Sequence, residues 1–327
     1  MNSPPPPFPD SPWIRNRRQF LRDASTLVGG MLVGAAAQLP RVASAAASLA
    51  PLEVAYAGSM APAMNGPLRA AVAQALGVEL RGRAQGAFAL AHLIAGGSLR
   101  PDVFVAVTAR PMRIVLAAGK AERAQPFART EMTLAYSPTS HFATALAAVG
   151  KPGATPWTEI LKSPGLRFGR TDPRADPQGL NIIFVMRLAA RYYHDPELSG
   201  RVLGPLVNPS QIFAEPEMMA RLQAGQLDVS SAYRVQPQAF GLPFVTLAPA
   251  INLSDPRLAD EYRTVSVTLE GRTFQPEPLI YYAALLKTAR DPALAARFVK
   301  WLAGTQAREI LARWHYQDAE GVEPLSA

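Results

Sequence analysis

The chain has 327 residues, of which 49% are hydrophobic and 18% charged, and its formal net charge is +8. That length exceeds the usual single core and predicts two lobes or domains, and the composition excludes a disordered chain. The absence of cysteine excludes disulfides, thiolate metal sites, a Cys nucleophile and a lipid-bearing Cys.

Part of the basic excess sits at the N-terminus, where Arg15, Arg17, Arg18, Arg22 and Arg41 outnumber Asp10 and Asp23. Residues 46–327 keep 28 basic and 23 acidic side chains. These are scattered, without the basic run or interleaved aromatics that track a phosphate backbone, so nucleic acid is not an expected partner. The four histidines, His92, His141, His194 and His315, form no metal-spaced pair. Neither a metal nor a cofactor is expected.

In chain order, Asn16-Arg17-Arg18-Gln19-Phe20-Leu21-Arg22 resembles the twin-arginine export motif. An apolar stretch over 27–39 follows, diluted by Gly29, Gly30 and Gly34. It is shorter than the roughly 20 residues that a spanning helix needs. Pro40, Arg41 and the small run Ala43-Ser44-Ala45 come next, as a peptidase site. Residues 1–45 therefore read as a twin-arginine signal peptide cleaved near Ala45. The expected partner is the twin-arginine export machinery, and the expected compartment is the periplasm.

Beyond this leader, short β-rich runs alternate with amphipathic stretches, which predicts an α/β fold with largely parallel sheets. A strand over 52–57 ends in Gly58-Ser59, and Asn65 can cap a helix over 67–76 that stops at Gly77. A strand over 79–84, a helix over 86–95 and a strand over 102–107 continue the alternation. Further strands are predicted over 131–136, 166–170, 228–233, 244–247, 263–269 and 279–286. Helices are predicted over 142–149, 177–193, 292–303 and 305–314. The repeated strand–loop–helix junctions share one sheet edge, where open α/β sheets hold their ligands.

Several stretches, taken in order, carry a family resemblance. They are Ala57-Gly58-Ser59-Met60, the run from Arg129 to Tyr136, and the segment from Trp157 to Gly179 with its Asp172-Pro173-Arg174-Ala175-Asp176-Pro177-Gln178-Gly179. Ala224-Gly225-Gln226-Leu227-Asp228 with Tyr233 follows, and then Ile251-Asn252-Leu253-Ser254-Asp255-Pro256. Together, over nearly all of 52–317, they resemble the molybdate/tungstate-binding subfamily of periplasmic solute-binding proteins of ABC importers. The resemblance implies a type II two-lobe "Venus flytrap" fold, each lobe a mainly parallel sheet flanked by helices. Lobe one would comprise 50–131 plus 251–327 and lobe two 132–250, with crossings near Glu131 and Ile251. A small oxyanion would lie in the cleft, and an ABC permease in the inner membrane would receive it from a monomeric binding protein.

A tetrahedral dianion taken out of water needs several donors aimed inward, and helix N-termini supply them without burying Lys or Arg. Three junctions have that form. Gly58-Ser59 offers close backbone approach and a hydroxyl, and on pattern alone is also a small-residue turn after a strand. Gln85-Gly86-Ala87 opens a helix; relatives commonly carry Ser after this Gly, whereas Ala87 offers only its N–H. The third junction contains Asp176 and Gln178, and Asp176 before Pro177 makes a good N-cap and first-turn pair.

In the tungstate-binding relatives, the residue matching Asp176 is a carboxylate ligand to a six-coordinate centre. Its partner there is a Glu immediately before a Tyr, and this chain has Ser231-Ala232-Tyr233. The expectation is thus a site with one carboxylate missing and Asp176 acting as a helix cap. The ion would be held by hydrogen bonds alone, or the pocket would serve another anion such as sulfate. Tyr233 reads either as a hydroxyl donor or as packing.

No P-loop, G-x-S-x-G or G-x-G-x-x-G is present, so no catalytic residue is assigned and the chain is not expected to be an enzyme. An exported enzyme on the same fold would turn to His141 as its base. A sensory ligand-binding domain would share the same residues.

Overall fold

The computed structural model describes residues 49–327; the export signal and its cleavage site near Ala45 lie outside them. The strands are β1 (Ala50–Ala57), β2 (Val78–Gln85), β3 (Val103–Val107), β4 (Arg123–Arg129), β5 (Met132–Tyr136) and β6 (Phe168–Gly169). They continue with β7 (Val229–Tyr233), β8 (Phe244–Thr246), β9 (Val267–Leu269), β10 (Arg272–Phe274), β11 (Ile280–Leu285) and β12 (Leu325–Ser326). A six-stranded sheet has the order β12-β4-β11-β3-β1-β2, and a four-stranded sheet the order β6-β7-β5-β8.

The α/β class matches the expectation, but the sheets are mixed and not mainly parallel. β1 runs parallel to β2 and β3, joined through the helices Pro67–Leu76 and Ala87–Ala95. β11, arriving from far along the chain, runs antiparallel to both β3 and β4. In the second sheet only the β6–β7 pair is parallel, and β5 is antiparallel to β7 and β8. The strand–helix–strand pattern dictates direction only between sequence neighbours; a strand inserted from a distant segment is free of it. β3 and β11 are buried on both faces, which explains their unbroken apolar runs.

Local chemistry sets the element ends. The helix Pro67–Leu76 starts on proline and stops at Gly77, whose φ of 68° few other residues tolerate. Its N-cap is Gly66, not Asn65, whose side chain instead accepts a 2.6 Å hydrogen bond from Tyr56 Oη. The helix Pro177–Tyr192 opens as expected, with Asp176 accepting from the Gln178 N–H at 2.9 Å. The strand expected over 263–269 shrinks to β9 because the helix Ala259–Tyr262 ends in a turn that takes up Arg263 and Thr264, whose N–H groups donate to the Ala259 and Glu261 carbonyls; Glu270-Gly271, both at positive φ, then fold β9 into a tight hairpin with β10.

Two segments connect the sheets, one between β4 and β5 and the other between β8 and β9. Glu131 ties them together: Oε1 pairs with Arg234 at 3.0 Å, and Oε2 accepts from Asn252 Nδ2 at 3.3 Å. The Met132 N–H donates to the Asn252 carbonyl at 2.9 Å.

Asp228, at the foot of β7, fixes the strand that reaches the ligand region. It accepts from Ser140 Oγ at 2.7 Å, from the Arg167 N–H at 2.8 Å and from the Arg167 guanidinium at 2.8 and 2.9 Å. Burial alone would raise its pKa, but these donors outweigh it and hold the carboxyl at about 2. An unfolded Asp titrates near ~3.9. The stabilisation is therefore complete above that value and lost as pH falls from there through about 2. Asp228→Asn should cost about 2 kcal/mol at neutral pH. Urea unfolding at pH 7 and pH 3 checks this, and the difference between variant and wild type should shrink at the lower pH.

Candidate functional site

β1 delivers the chain to a short 3-10 turn, Gly58–Met60. Gly58 lies directly against the Glu215 carboxyl, which a methyl group at 58 would displace. Ser59 is only 1% exposed. Its hydroxyl accepts from Tyr281 Oη and its carbonyl from Tyr316 Oη, both at 2.9 Å. The hydroxyl proton of Ser59 is thereby left to point elsewhere.

β2 leads to Gly86 and the helix Ala87–Ala95. A Cβ on Gly86 would lie 2.6 Å from the Ala175 carbonyl oxygen and 3.3 Å from Asp176 Cβ. The Ala89 N–H donates to the Ala175 carbonyl at 3.2 Å. The N–H groups of Ala87 and Phe88, in the first turn, have no partner within their own helix. The N-termini of Ala87–Ala95 and Pro177–Tyr192, one from each sheet's side, thus meet at Gly86 and Asp176.

A third helix, Glu215–Gln223, begins at the same place with Glu215 as its first residue. Glu215 is 9% exposed and Asp176 6%. Gln236 Nε2 donates to Glu215 Oε1 at 2.6 Å, while Gln236 Oε1 accepts from the Tyr233 N–H at 2.7 Å. The Asp176 and Glu215 carboxyls are close enough that each affects the other's protonation. Burial pushes Asp176 up to about 6 despite the Gln178 N–H, and pushes Glu215 well above its usual value, with the neighbouring Asp176 charge adding to the rise.

Tyr233 is buried at the end of β7, and its Oη accepts from Asn181 Nδ2 at 3.1 Å. Burial and then the two carboxyls push its pKa well above the usual value, so its hydroxyl stays a donor. Gln178 Nε2 donates to the Ser231 carbonyl at 2.8 Å, and both residues are fully buried. Gln178 Oε1 and Ser231 Oγ have no hydrogen-bond partner.

Two connected clusters thus hold the residues singled out in the sequence: Gly58 and Ser59 beside Glu215, and Gly86, Ala87, Asp176 and Gln178 around the paired helix ends. Tyr233 joins them through Gln236 and Asn181. The cap on Asp176 is present. Ala232 stands where the relatives' second carboxylate is expected, and Glu215, from a different element, places another buried carboxyl beside Asp176. Ala232 is buried in an apolar cluster with Met218, Met219 and Leu222 of the helix that Glu215 begins. Ala214-Glu215-Pro216-Glu217 carries a helix-start signal, acidic residues and proline in the first turn, and in the sequence it reads as dipole compensation. His141 is exposed and packs its ring 3.8 Å from that of Phe142. Nothing described links it to the acid pair.

Residues 52–317 match the model of a family described as bacterial extracellular solute-binding protein. The chain belongs to this family. Among individual members, a Haloferax volcanii protein named for molybdenum binding in an ABC transporter is 31% identical, over 91% of this chain and 90% of its own. The molybdate/tungstate-binding protein WtpA of Pyrococcus abyssi is 30% identical over 59% of this chain and 60% of its own. Among solved structures, the periplasmic molybdate-binding protein of Azotobacter vinelandii superposes with a TM-score of 0.55 at 17% identity, covering 81% of this chain and 98% of its own. This last likeness gives the fold, the two-lobe α/β architecture of periplasmic binding proteins.

A solute-binding protein with a raised acid pair should show it in its ligand-free stability. The folded state binds more protons than the unfolded chain between ~3.9 and the raised pKa values. Stability should therefore fall as pH rises through about 6 and beyond. Melting curves between pH 5 and 8 check this, and Asp176→Asn combined with Glu215→Gln should flatten the slope.

Proposed function

We propose that this chain is the periplasmic substrate-binding component of an ABC importer and captures a small tetrahedral oxyanion, of the molybdate or tungstate kind, between its two sheets. The observation that carries this reading is the meeting of the helices Ala87–Ala95 and Pro177–Tyr192, N-terminus to N-terminus, over a buried polar set. Helix N-termini present aligned N–H groups and partial positive charge to an anion, and need no buried Lys or Arg. The names of the relatives point to the same class of cargo.

In this reading Gly58 and Gly86 let the backbone approach the ion, and Ala87 contributes its N–H. Ser59 and Tyr233 donate hydroxyls, Gln178 donates from the first turn of its helix, and Asp176 orients that turn. Residues 50–131 plus 251–327 form one lobe and 132–250 the other, hinged near Glu131 and Ile251. Closure over the ion presents both lobes to an inner-membrane permease. The chain leaves the cytoplasm by the twin-arginine route, is cleaved near Ala45 and works as a monomer. Capture and delivery involve no bond-making, so no residue serves as a catalyst.

Calorimetric titration of residues 46–327 with tungstate, molybdate and sulfate tests the reading, with melting curves alongside. A ligand present at 100 times its Kd should add about 2.7 kcal/mol of stability. Gly86→Ala should weaken binding by about tenfold or more, because its methyl meets the Ala175 carbonyl and forces the two helix ends apart. Absence of heat and of any melting shift with all three ions would overturn the oxyanion assignment.

A further inference from the structure

Ser59 is held from two sides in a way that its place in a short turn does not require. Its hydroxyl accepts from Tyr281 Oη and its carbonyl from Tyr316 Oη, residues 222 and 257 positions further along the chain. All three residues are buried, and the two rings meet edge to face with centroids 5.5 Å apart. Both tyrosines are placed by departures from regular backbone. Tyr281 pairs with Ala128 while Tyr282 pairs with Pro126, so the register of β11 on β4 shifts between the two tyrosines. Such bulges re-aim side chains and gather beside functional sites. His315, just before Tyr316, sits at a φ of 65°, outside the range that ordinary side chains favour. It closes the helix Thr305–Arg313: its N–H donates to the Ala312 carbonyl and that of Tyr316 to the Leu311 carbonyl, both at 3.0 Å. Gln317 then pairs with Arg129 in both directions, at 2.8 and 2.9 Å, which pins Tyr316 between that helix and β4.

A serine hydroxyl has one proton and two lone pairs. With Tyr281 donating into one lone pair, the Ser59 proton must go to a third group, and none of the described residues accepts it. Burial keeps both phenols protonated, so each remains a donor at neutral pH. Ser59 follows the carboxyl end of β1, and Gly86 follows that of β2, its parallel neighbour. An anion lodged along that edge is the acceptor the hydroxyl lacks. A free hydroxyl rotor would lose its freedom on binding, whereas one whose lone pair is already occupied is turned beforehand, at less cost to the complex. We propose that Tyr281 is a positioning residue that directs the Ser59 hydroxyl proton at the captured oxyanion. This rests on the oxyanion-capture reading above. Tyr316 fixes the frame in which it happens, because it holds the Ser59 carbonyl and packs against the Tyr281 ring. Neither tyrosine has to touch the ion.

Calorimetric titration with tungstate and molybdate tests this on the mature chain as wild type, Tyr281→Phe, Ser59→Ala and the double variant. Ser59→Ala removes a hydrogen bond to a charged acceptor and should weaken binding about tenfold. Tyr281→Phe should weaken it about fivefold while Ser59 is present, and should change nothing further once residue 59 is alanine. A tyrosine that served only to fill the core would cost the same in both backgrounds, so an equal loss in the two would overturn the proposal. Full affinity in Tyr281→Phe or in Ser59→Ala would overturn it as well. Phenylalanine keeps the ring and its neighbours Phe127 and Tyr316, and ligand-free melting curves read the fold of each variant separately. In each of these cases the wild type still binds and oxyanion capture would stand. Failure of the wild type to bind either ion would remove both readings.

Discussion

Asp176 and Glu215 are held out of water side by side with no cation among the described residues to neutralise them, and the backbone around them compensates. Three helices begin at this point, Ala87–Ala95, Pro177–Tyr192 and Glu215–Gln223. Each brings the positive end of its dipole. Tyr233, kept protonated by burial, and the amides of Gln178 and Gln236 complete a lining of donors. On the proposed reading the cleft favours an anion although the ionisable side chains described there are acids and phenols.

That balance depends on placement, and the sheets provide it. β1 ends where Gly58 lies against Glu215, and β2 ends where Gly86 must lie against the Ala175 carbonyl. β7, fixed at its foot by Asp228 and at its head by the Arg234–Glu131 pair, carries Ser231 and Tyr233 to the same region. Since Glu131 also holds Asn252, one carboxylate joins both connections between the sheets to the strand that lines the site.

The sequence announces those parts of the fold whose cause is local. Pro67 and Gly77 bound a helix because proline and left-handed glycine act on their own backbone, and Asp176-Pro177 caps another in the same way. Mixed sheet direction is not local: β11 joins β3 and β4 across more than a hundred residues, and no pattern within β11 tells which way its neighbours run. β4 escapes notice because Pro126 interrupts it and arginines end it. Glu215 shows the same limit within the site. Its neighbours mark a helix start, but whether an acid at such a start faces solvent or a buried Asp176 depends on a segment some forty residues earlier. Ala232, read alone, marks only a lost carboxylate, whereas in the fold it packs against Met218, Met219 and Leu222 of the helix that Glu215 begins.

The use of helix ends in place of side-chain cations has a consequence for how the site responds to its medium. Partial charges on N–H groups act at contact range and decline within a turn of helix, so dissolved salt, which screens over roughly 8–10 Å at physiological strength, barely reaches them in a buried cleft. The scattered surface charge can govern how quickly an ion arrives. On the proposed reading, how firmly it is kept depends on helix ends that meet at Gly86 and Asp176, an arrangement that a change of ionic strength in the surrounding compartment leaves alone.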